Sequence, residues 1–192
     1  MYNIIMNIFL FDCLDLKHNA ECHPDKLLVK MMCESSQLIN NHTSQFGSPL
    51  LKGDGSPFKQ THKHHPSSIW AGESRPNLMY LIHYLEALYV EYKTRYKKKS
   101  ATYLGILEQL ETDFSYSKYD ILPKDFIIVI NDDWLKQIVD DQTFNLLKIN
   151  KNRTSDLELV SYCYQNYLYL AKQHYFYWKH TNQPFFQHLA VR

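Results

Sequence analysis

The sequence predicts an all-α, mainly helical protein with at most a short N-terminal strand. Hydrophobic residues make up 45% of the 192 residues, which is enough for a real core. Five glycines stand against fifteen tyrosines and ten phenylalanines, a composition that disfavours folds built on glycine-rich nucleotide-binding turns. Apolar residues also recur at helical spacing in several long segments. We therefore expect one compact, bundle-like domain over residues 1–192.

Residues 1–111 are expected to form the helical core that carries the motifs. Residues 4–11 (IIMNIFLF) indicate a buried strand or a packed arm. Residues 41–68 lack any period and are rich in Gly, Pro, Ser and Asn, so they indicate a long loop. Proline in a first turn and a serine cap at Ser74 mark two helix starts. We predict helices over residues 24–40, 75–98 and 101–111.

The second half is expected to contain a linker, a short helix and a tyrosine-rich terminal helix. Residues 112–155 are predicted as linker and short helix, with an ambiguous strand or turn at 126–130 (FIIVI) and a helix over 132–146. Residues 156–192 are predicted to form the last long helix, to about residue 180, and a tail. The helices over 24–40, 75–98 and 156–180 should pack on each other, because each carries one apolar stripe.

The net charge limits the classes of function that the sequence allows, and the cysteine spacing indicates the compartment. With 21 basic and 20 acidic residues, a uniformly cationic nucleic-acid coat is excluded, but a local basic patch is not. The four cysteines show no CxxC spacing, and Asp12 interrupts the apolar N-terminus, which lacks a basic leading region. No run reaches transmembrane length. We expect an intracellular protein in a reducing compartment, without a membrane partner.

A polar stripe on the first long helix is the first candidate site. Lys26, Lys30 and Glu34 recur once per turn, so Lys30 and Glu34 share a helix face. One interpretation is a surface ion pair of about 0.3–0.5 kcal/mol. The other is an amine and a carboxylate over a cleft, where the amine attacks a sugar carbon and the carboxylate moves protons. Asp25 and Lys26 would extend that site.

A histidine-rich loop is the second candidate site, and Trp70 follows it closely. Its spacing matches no standard zinc pattern, although Cys22 and His23 would complete a metal site if the loop folded back. Alternatively the loop is solvated and one histidine caps a helix, or its cations contact phosphates while Trp70 anchors it. The loop residues concerned are Thr61, His62, Lys63, His64, His65 and Pro66.

A basic cluster ends the helix predicted over 75–98. Cations at a helix C-terminus are favourable without any ligand. Here tyrosines are interleaved with them, a combination that suits phosphate contact and base stacking. The cluster consists of Tyr92, Arg95, Tyr96, Lys97, Lys98 and Lys99.

Four short motifs within residues 20–96 resemble one known family: A-x4-D-K-x3-K-x3-E-x2-Q-L, T-H-x2-H-P-x3-W, S-x2-N-x3-L and E-Y-x2-R-Y. The motif residues are Ala20, Asp25, Lys26, Lys30, Glu34, Gln37, Leu38, Thr61, His62, His65, Pro66, Trp70, Ser74, Asn77, Leu81, Glu91, Tyr92, Arg95 and Tyr96. The combination resembles an uncharacterised family of tailed phages and large DNA viruses. A C-terminal set also matches: Tyr164, Tyr167, Lys172, Trp178 and Pro184.

That viral family is in turn distantly similar to the pyrimidine-dimer DNA glycosylases, which are compact and mostly helical. The shared features are an aspartate and a glutamate nine residues apart, here Asp25 and Glu34, and a segment here formed by His65, Pro66 and Trp70. The resemblance implies that Glu34 is catalytic. It also implies an amine nucleophile that attacks C1′ of the sugar.

The identity of that amine stays open at the sequence level. The phage glycosylase uses its own N-terminal α-amine, exposed after removal of Met, but large side chains follow both Met1 and Met6 here. The alternatives are the amine of an untrimmed Met, Lys26, Lys30, or no lyase chemistry. The loop motif also departs from the family at His64, where an asparagine is usual.

The sequence therefore predicts a DNA base glycosylase-like enzyme of viral origin, in the host cytoplasm, a viral factory or the virion. It would act on damaged or modified bases, with DNA as partner and with no cofactor or metal. The expected catalytic residues are Glu34, Lys30, Lys26, Asp25 and His65. The expected DNA-binding residues are His62, Lys63, His64, Arg95, Lys97, Lys98 and Lys99. The alternatives are a non-catalytic DNA-binding or virion protein on the same scaffold, and a nucleotide-level or base-modifying enzyme.

Overall fold

A computed structural model describes residues 7–114, 122–172 and 177–178. These residues form eight α-helices, one 3-10 turn and a two-stranded antiparallel sheet, which confirms the mainly helical fold class. The helices are α1 (Leu16–Glu21), α2 (Asp25–Thr43), α3 (Pro66–Gly72), α4 (Arg75–Tyr96), α5 (Ala101–Phe114), α6 (Asp132–Ile138), α7 (Asp141–Ile149) and α8 (Leu157–Ala171). The 3-10 turn is Ser44–Phe46, and the strands are β1 (Phe126–Ile127) and β2 (Arg153–Thr154).

The packing of α2 on α4 forms the centre of the core. The apolar stripe of α2 predicted from helical spacing is buried, and Leu28, Met31 and Leu38 are fully inaccessible. Leu81 and Leu85 of α4 are equally buried. Each such side chain contributes about 1.5–3 kcal/mol relative to exposure, so the shared stripe fixes how the two helices face each other.

An N-terminal arm, residues 7–13, lies between α8 and the α2–α4 pair. The hydroxyl of Tyr84 on α4 donates to the Phe9 carbonyl at 3.2 Å, and the Gln165 amide on α8 donates to the Phe11 carbonyl at 2.8 Å. The arm is irregular rather than a strand, although it is buried. Because it intervenes, α8 packs mainly on the arm, α6 and the small sheet. The terminal helix was predicted to pack on the other two long helices, but α8 packs mainly on the arm, α6 and the sheet instead.

Capping side chains explain where the helices begin. Ser74 Oγ accepts from the Asn77 N–H at 3.2 Å and starts α4, as predicted. Asp140 Oδ1 accepts from the Thr143 N–H at 2.7 Å and starts a new helix, so the single helix predicted over 132–146 is instead α6 and α7. The terminal helix ends at Ala171, and residues 173–176 and 179–192 of the predicted helix and tail lie outside the described residues. The short helices α1 and α3 were not predicted from the sequence.

Trp70 anchors α3 in the core, as one interpretation of the histidine-rich loop required. Its side chain is 1% exposed, its indole N–H donates to the Asp125 carbonyl at 2.9 Å, and its ring lies against Phe126 of β1. In the part of the chain that the structure describes, no helix has the length and apolar character needed to cross a bilayer.

Candidate functional site

The candidate site centres on the Glu34 carboxylate, midway along α2. Its side chain is only 7% exposed. Oε1 lies 3.3 Å from Lys30 Nζ, and Oε2 accepts a 3.3 Å hydrogen bond from the backbone N–H of Asn7. The Lys30 side chain is 30% exposed. One oxygen of this buried carboxylate thus contacts the amine of a partly exposed lysine, and the other contacts a main-chain nitrogen.

Asn7 is fixed in place by its own side chain. The amide Nδ2 donates to the Val129 carbonyl at 2.7 Å. The amide oxygen accepts from the Tyr164 hydroxyl at 3.0 Å and from the Ile8 N–H at 2.8 Å. Because these bonds satisfy the buried amide, the arm has one position over α2, and the Asn7 nitrogen is directed at Glu34.

The loop after α2 folds back over that helix, as the predicted site requires. The Asn40 amide donates to the Phe58 carbonyl at 3.0 Å, and the Asn41 amide donates to the Thr61 carbonyl at 2.8 Å. These bonds bring the next residue, His62, close enough for its charge to favour the ionised form of Glu34. His62 is exposed and adopts a left-handed backbone with φ of 54°, an uncommon conformation for a side chain of this size.

His65 lies close to His62 and has a structural role. Its Nδ1 accepts from the Ser67 N–H at 3.2 Å and caps α3, which confirms the capping interpretation. Partial burial, and then the nearby His62, lower the pKa of His65. Both facts favour the neutral ring, because a protonated Nδ1 has no lone pair for the cap. Lys30 and His62 thus lie near Glu34, and His65 lies near His62.

The electrostatics of Glu34 suit proton transfer. Burial raises the pKa of the Glu34 carboxyl, while Lys30 and the Asn7 N–H oppose this shift. A carboxylate with a raised pKa is a stronger base than a solvated one, and its charge is stabilised mainly by the amine beside it.

Arg95 does not belong to a DNA-binding surface. Its side chain is fully buried; Nε contacts Glu91 Oε1 at 2.5 Å and Nη1 contacts Asp25 Oδ1 at 3.1 Å. Its remaining donors are used by main-chain oxygens: those of Ala20, Glu21 and His23. The predicted phosphate contact of Arg95 is therefore wrong. Asp25 pairs with this guanidinium and begins α2 nine residues before Glu34, about 13.5 Å along the axis, so it is not part of the Glu34 site.

The other predicted cations remain accessible. Lys26 is exposed, but it lies eight residues before Glu34, about 12 Å along α2, so it is not beside the carboxylate. Lys97, Lys98 and Lys99 are exposed after the end of α4. The Tyr96 hydroxyl donates to the Asp25 carbonyl at 3.1 Å, which places that end of α4 beside the start of α2.

Exposed or partly exposed basic side chains therefore lie along α2 from its start toward Glu34 and continue in the loop beyond it. We call this set the cationic track. Its members are Lys97, Lys98, Lys99, Lys26, Lys30, His62, Lys63 and His64.

Two residues near Glu34 and Lys30 were not assigned to the site from the sequence. One is Asn7, whose signal was a polar side chain inside an otherwise apolar run. The other is Lys172 at the end of α8, whose Nζ lies 5.4 Å from the centre of the Tyr167 ring. Burial lowers the pKa of Lys172, and the nearby Lys30 charge adds to this effect. A second ammonium group therefore lies near Lys30.

Cys22 and His23 do not complete a metal site with the loop histidines. His23 is buried between the Asn19 carbonyl at 2.7 Å and the Tyr84 hydroxyl at 3.0 Å, and burial lowers its pKa to about 3. Cys22 Sγ lies 3.7 Å from His18 Nε2 on α1. Among the described residues, no group of three His, Cys, Asp or Glu side chains is arranged to bind a metal ion.

Comparisons with protein-family models, curated proteins and solved structures found no match to this chain. An amine 3.3 Å from a buried carboxylate, at the surface and beside a line of cations, has the components needed for nucleophilic attack on an electrophilic carbon of an anionic substrate.

Proposed function

We propose that this protein is a DNA base glycosylase-like enzyme in which the Lys30 amine is the nucleophile and Glu34 assists it. The observation that carries the proposal is the 3.3 Å contact between Nζ of the partly exposed Lys30 side chain and Oε1 of the buried Glu34. Structural ion pairs on one helix are usually exposed on both sides and contribute little. Burial of this carboxylate is costly, and a role in catalysis accounts for that cost.

The proposed reaction begins with transfer of a proton from Lys30 to the Glu34 carboxylate. The neutral amine then bonds to C1′ while the C1′–N bond breaks. The base leaves with the bonding electrons and takes the proton from Glu34, which becomes a carboxylate again. Ring opening of the sugar gives an imine between Lys30 and C1′. Glu34 stabilises the cationic transition state, and it is placed to move the proton for a later β-elimination.

The cationic track provides the binding part of the proposal. Lys26 and Glu34 are separated by about 12 Å along α2, which is comparable to three or four base steps of one DNA strand. Phosphates bound along this line would run past the carboxylate, and the target nucleotide must leave the base stack to reach Lys30. A viral origin and a reducing intracellular compartment belong to this same proposal.

Borohydride trapping on duplex DNA with an abasic site tests the proposal. The chain should give a covalent protein–DNA adduct, because borohydride reduces the imine to a stable amine. Lys30→Ala should abolish the adduct. The control is Lys17→Ala, which removes an exposed lysine on α1, outside the cationic track, and should leave adduct formation unchanged. Equal adduct from the wild-type chain and Lys30→Ala would exclude Lys30 as the nucleophile.

The second candidate function is a non-catalytic DNA-binding or virion protein on the same scaffold. The buried network of Asp25, Glu91 and Arg95 favours it, because it explains three motif residues by their structural role alone. In that case the chain should bind duplex DNA and give no adduct with any variant.

A further inference from the structure

A separate cavity of about 270 Å³ lies at the C-terminal end of α2, where it meets the end of α3, the start of α4 and the end of α5. His42 lines it, eight residues beyond Glu34, about 12 Å farther along the α2 axis. Drug-sized ligands occupy pockets of about 300–1,000 Å³, so this volume suits a molecule of one or two rings.

One side of the cavity is apolar and aromatic. Phe46, Phe114, Leu78 and Met79 contribute to its lining. Phe46 is 76% exposed even though it belongs to the ordered 3-10 turn after α2. Packing does not explain such an exposed ring, and an aromatic ligand in the cavity would cover part of it.

The polar side of the cavity carries a positive charge. Arg75 belongs to the lining, and its Nη2 donates to the Phe114 carbonyl at 3.4 Å, so the guanidinium spans the rim from α4 to α5. Within residues 7–114, 122–172 and 177–178, no carboxylate forms an ion pair with Arg75, and the lining contains no acidic residue. A planar guanidinium matches the geometry of a carboxylate, which it binds through two parallel hydrogen bonds.

The His42 ring is held by close packing at the same cavity. Its Nε2 contacts the Ser68 carbonyl at 2.7 Å. A Cβ on Gly72 would lie 2.1 Å from His42 Cε1, so the absence of a side chain at Gly72 is what admits the ring. His42 is therefore a fixed wall of the cavity rather than a mobile surface side chain.

From these features we propose that the cavity binds a small aromatic carboxylate. The carboxylate is bound by Arg75, and the ring lies against Phe46, Leu78 and Phe114. The fixed imidazole of His42 lines the same cavity. This site does not depend on the proposed glycosylase chemistry, because it shares no residue with the surface around Glu34.

Titration calorimetry with 2-naphthoate and its neutral analogue 2-naphthamide tests the proposal. The wild-type chain should bind 2-naphthoate saturably and 2-naphthamide about tenfold or more weakly. Arg75→Met keeps the apolar stem and removes the guanidinium, so it should weaken 2-naphthoate about tenfold and leave 2-naphthamide unchanged. The matched control is Lys98→Met, an exposed cation beyond the other end of α4, which should change neither constant.

Proton NMR of the histidine rings locates the ligand. Addition of 2-naphthoate should shift the His42 Cε1–H signal and leave that of the exposed His64 unchanged. The proposal is overturned if 2-naphthoate shows no saturable binding, if Arg75→Met binds it as tightly as wild type, or if the His42 signal does not move. Preferential binding of thymidine monophosphate would also overturn it, since the pocket would then recognise a nucleotide.

Discussion

The main-chain nitrogen of Asn7 lies 3.3 Å from Glu34 Oε2, on the opposite side of the carboxylate from Lys30. This contact joins the N-terminal arm to the middle of α2. Because Tyr164 and Val129 anchor the Asn7 side chain, the position of α8 and of the segment after β1 determines which groups meet Glu34.

A chain that begins at Asn7 should present an α-amine to Glu34 at this position. We expect it to form a borohydride-trapped adduct with abasic DNA even when Lys30→Ala is also present, because the new amine takes the place of the lost one. The matched control is a Lys30→Ala chain that begins at Ile8, which lacks the nitrogen beside Glu34. If neither shortened chain forms an adduct, an amine at Asn7 is not reactive there.

Glu34→Gln should separate catalysis from stability. The amide keeps the shape but cannot carry the negative charge that stabilises a cationic transition state, so base release should fall by about 10²-fold or more. Because the Lys30 side chain is 30% exposed, its ammonium can turn toward solvent, and the free energy of unfolding should change by no more than about 1 kcal/mol. Urea unfolding and a base-release assay on one preparation measure both. A loss of several kcal/mol would show that the pair is structural.

Glu34 should also make stability depend on pH in a defined direction. Its pKa is raised in the folded protein above the ordinary 4.5, so between 4.5 and the raised value the folded state binds more protons than the unfolded chain. The free energy of unfolding of the wild type should therefore fall, relative to Glu34→Gln, as pH rises through this window. Urea unfolding of both proteins from about pH 4 to 8 tests this. A difference that is constant or grows with pH would contradict it.

Much of the fold follows from the spacing of apolar residues and from capping residues. The site instead depends on contacts between residues that are far apart in the chain. The stripe of Leu28 and Met31 and the Ser74 cap predicted α2 and the start of α4 from spacing alone. The burial of Arg95 depends on its contact with Asp25, which lies seventy residues away in the chain. From the sequence alone, a cation at the end of a helix is expected to be on the surface. The contact between Asn7 and Glu34 joins residues that are 27 apart in the chain. It requires an irregular arm, and the periodicity of hydrophobic residues does not predict an irregular segment.

Arg95 and the three lysines after it should behave in opposite ways. Arg95→Met should destabilise the protein by about 3–5 kcal/mol, because Asp25 and Glu91 become buried charges without their partner. Replacing Lys97, Lys98 and Lys99 by Ala should leave the melting temperature almost unchanged. It should reduce the slope of log binding constant against log salt concentration by about 2 to 3 if each lysine meets one phosphate of duplex DNA.

Fluorescence anisotropy with labelled duplex at several salt concentrations measures that slope. The control is Lys136→Ala on α6, which removes a cation outside the cationic track and should leave the slope unchanged. An identical slope for the triple variant would place the DNA surface elsewhere.

Gly72 and His42 should be energetically coupled. Gly72→Ala puts a Cβ 2.1 Å from His42 Cε1, and the ring is also bonded to the Ser68 carbonyl, so it cannot move without losing that bond. Overpacking of this kind costs about 1–3 kcal/mol. With His42→Ala the space is open, and the same substitution should then be neutral or slightly stabilising, because Ala has the better helix propensity.

A double-mutant cycle of thermal or urea unfolding measures the coupling directly. We expect an interaction energy of about 1 kcal/mol or more between the two positions. Gly47→Ala in the same two backgrounds is not an equivalent control, because its φ of 77° strains any side chain whatever the space. Gly105→Ala on α5 is suitable, since a Cβ there meets nothing within 4 Å. Additive effects of Gly72→Ala and His42→Ala would mean that the glycine serves the backbone at the end of α3, and that the His42 ring is not fixed by it.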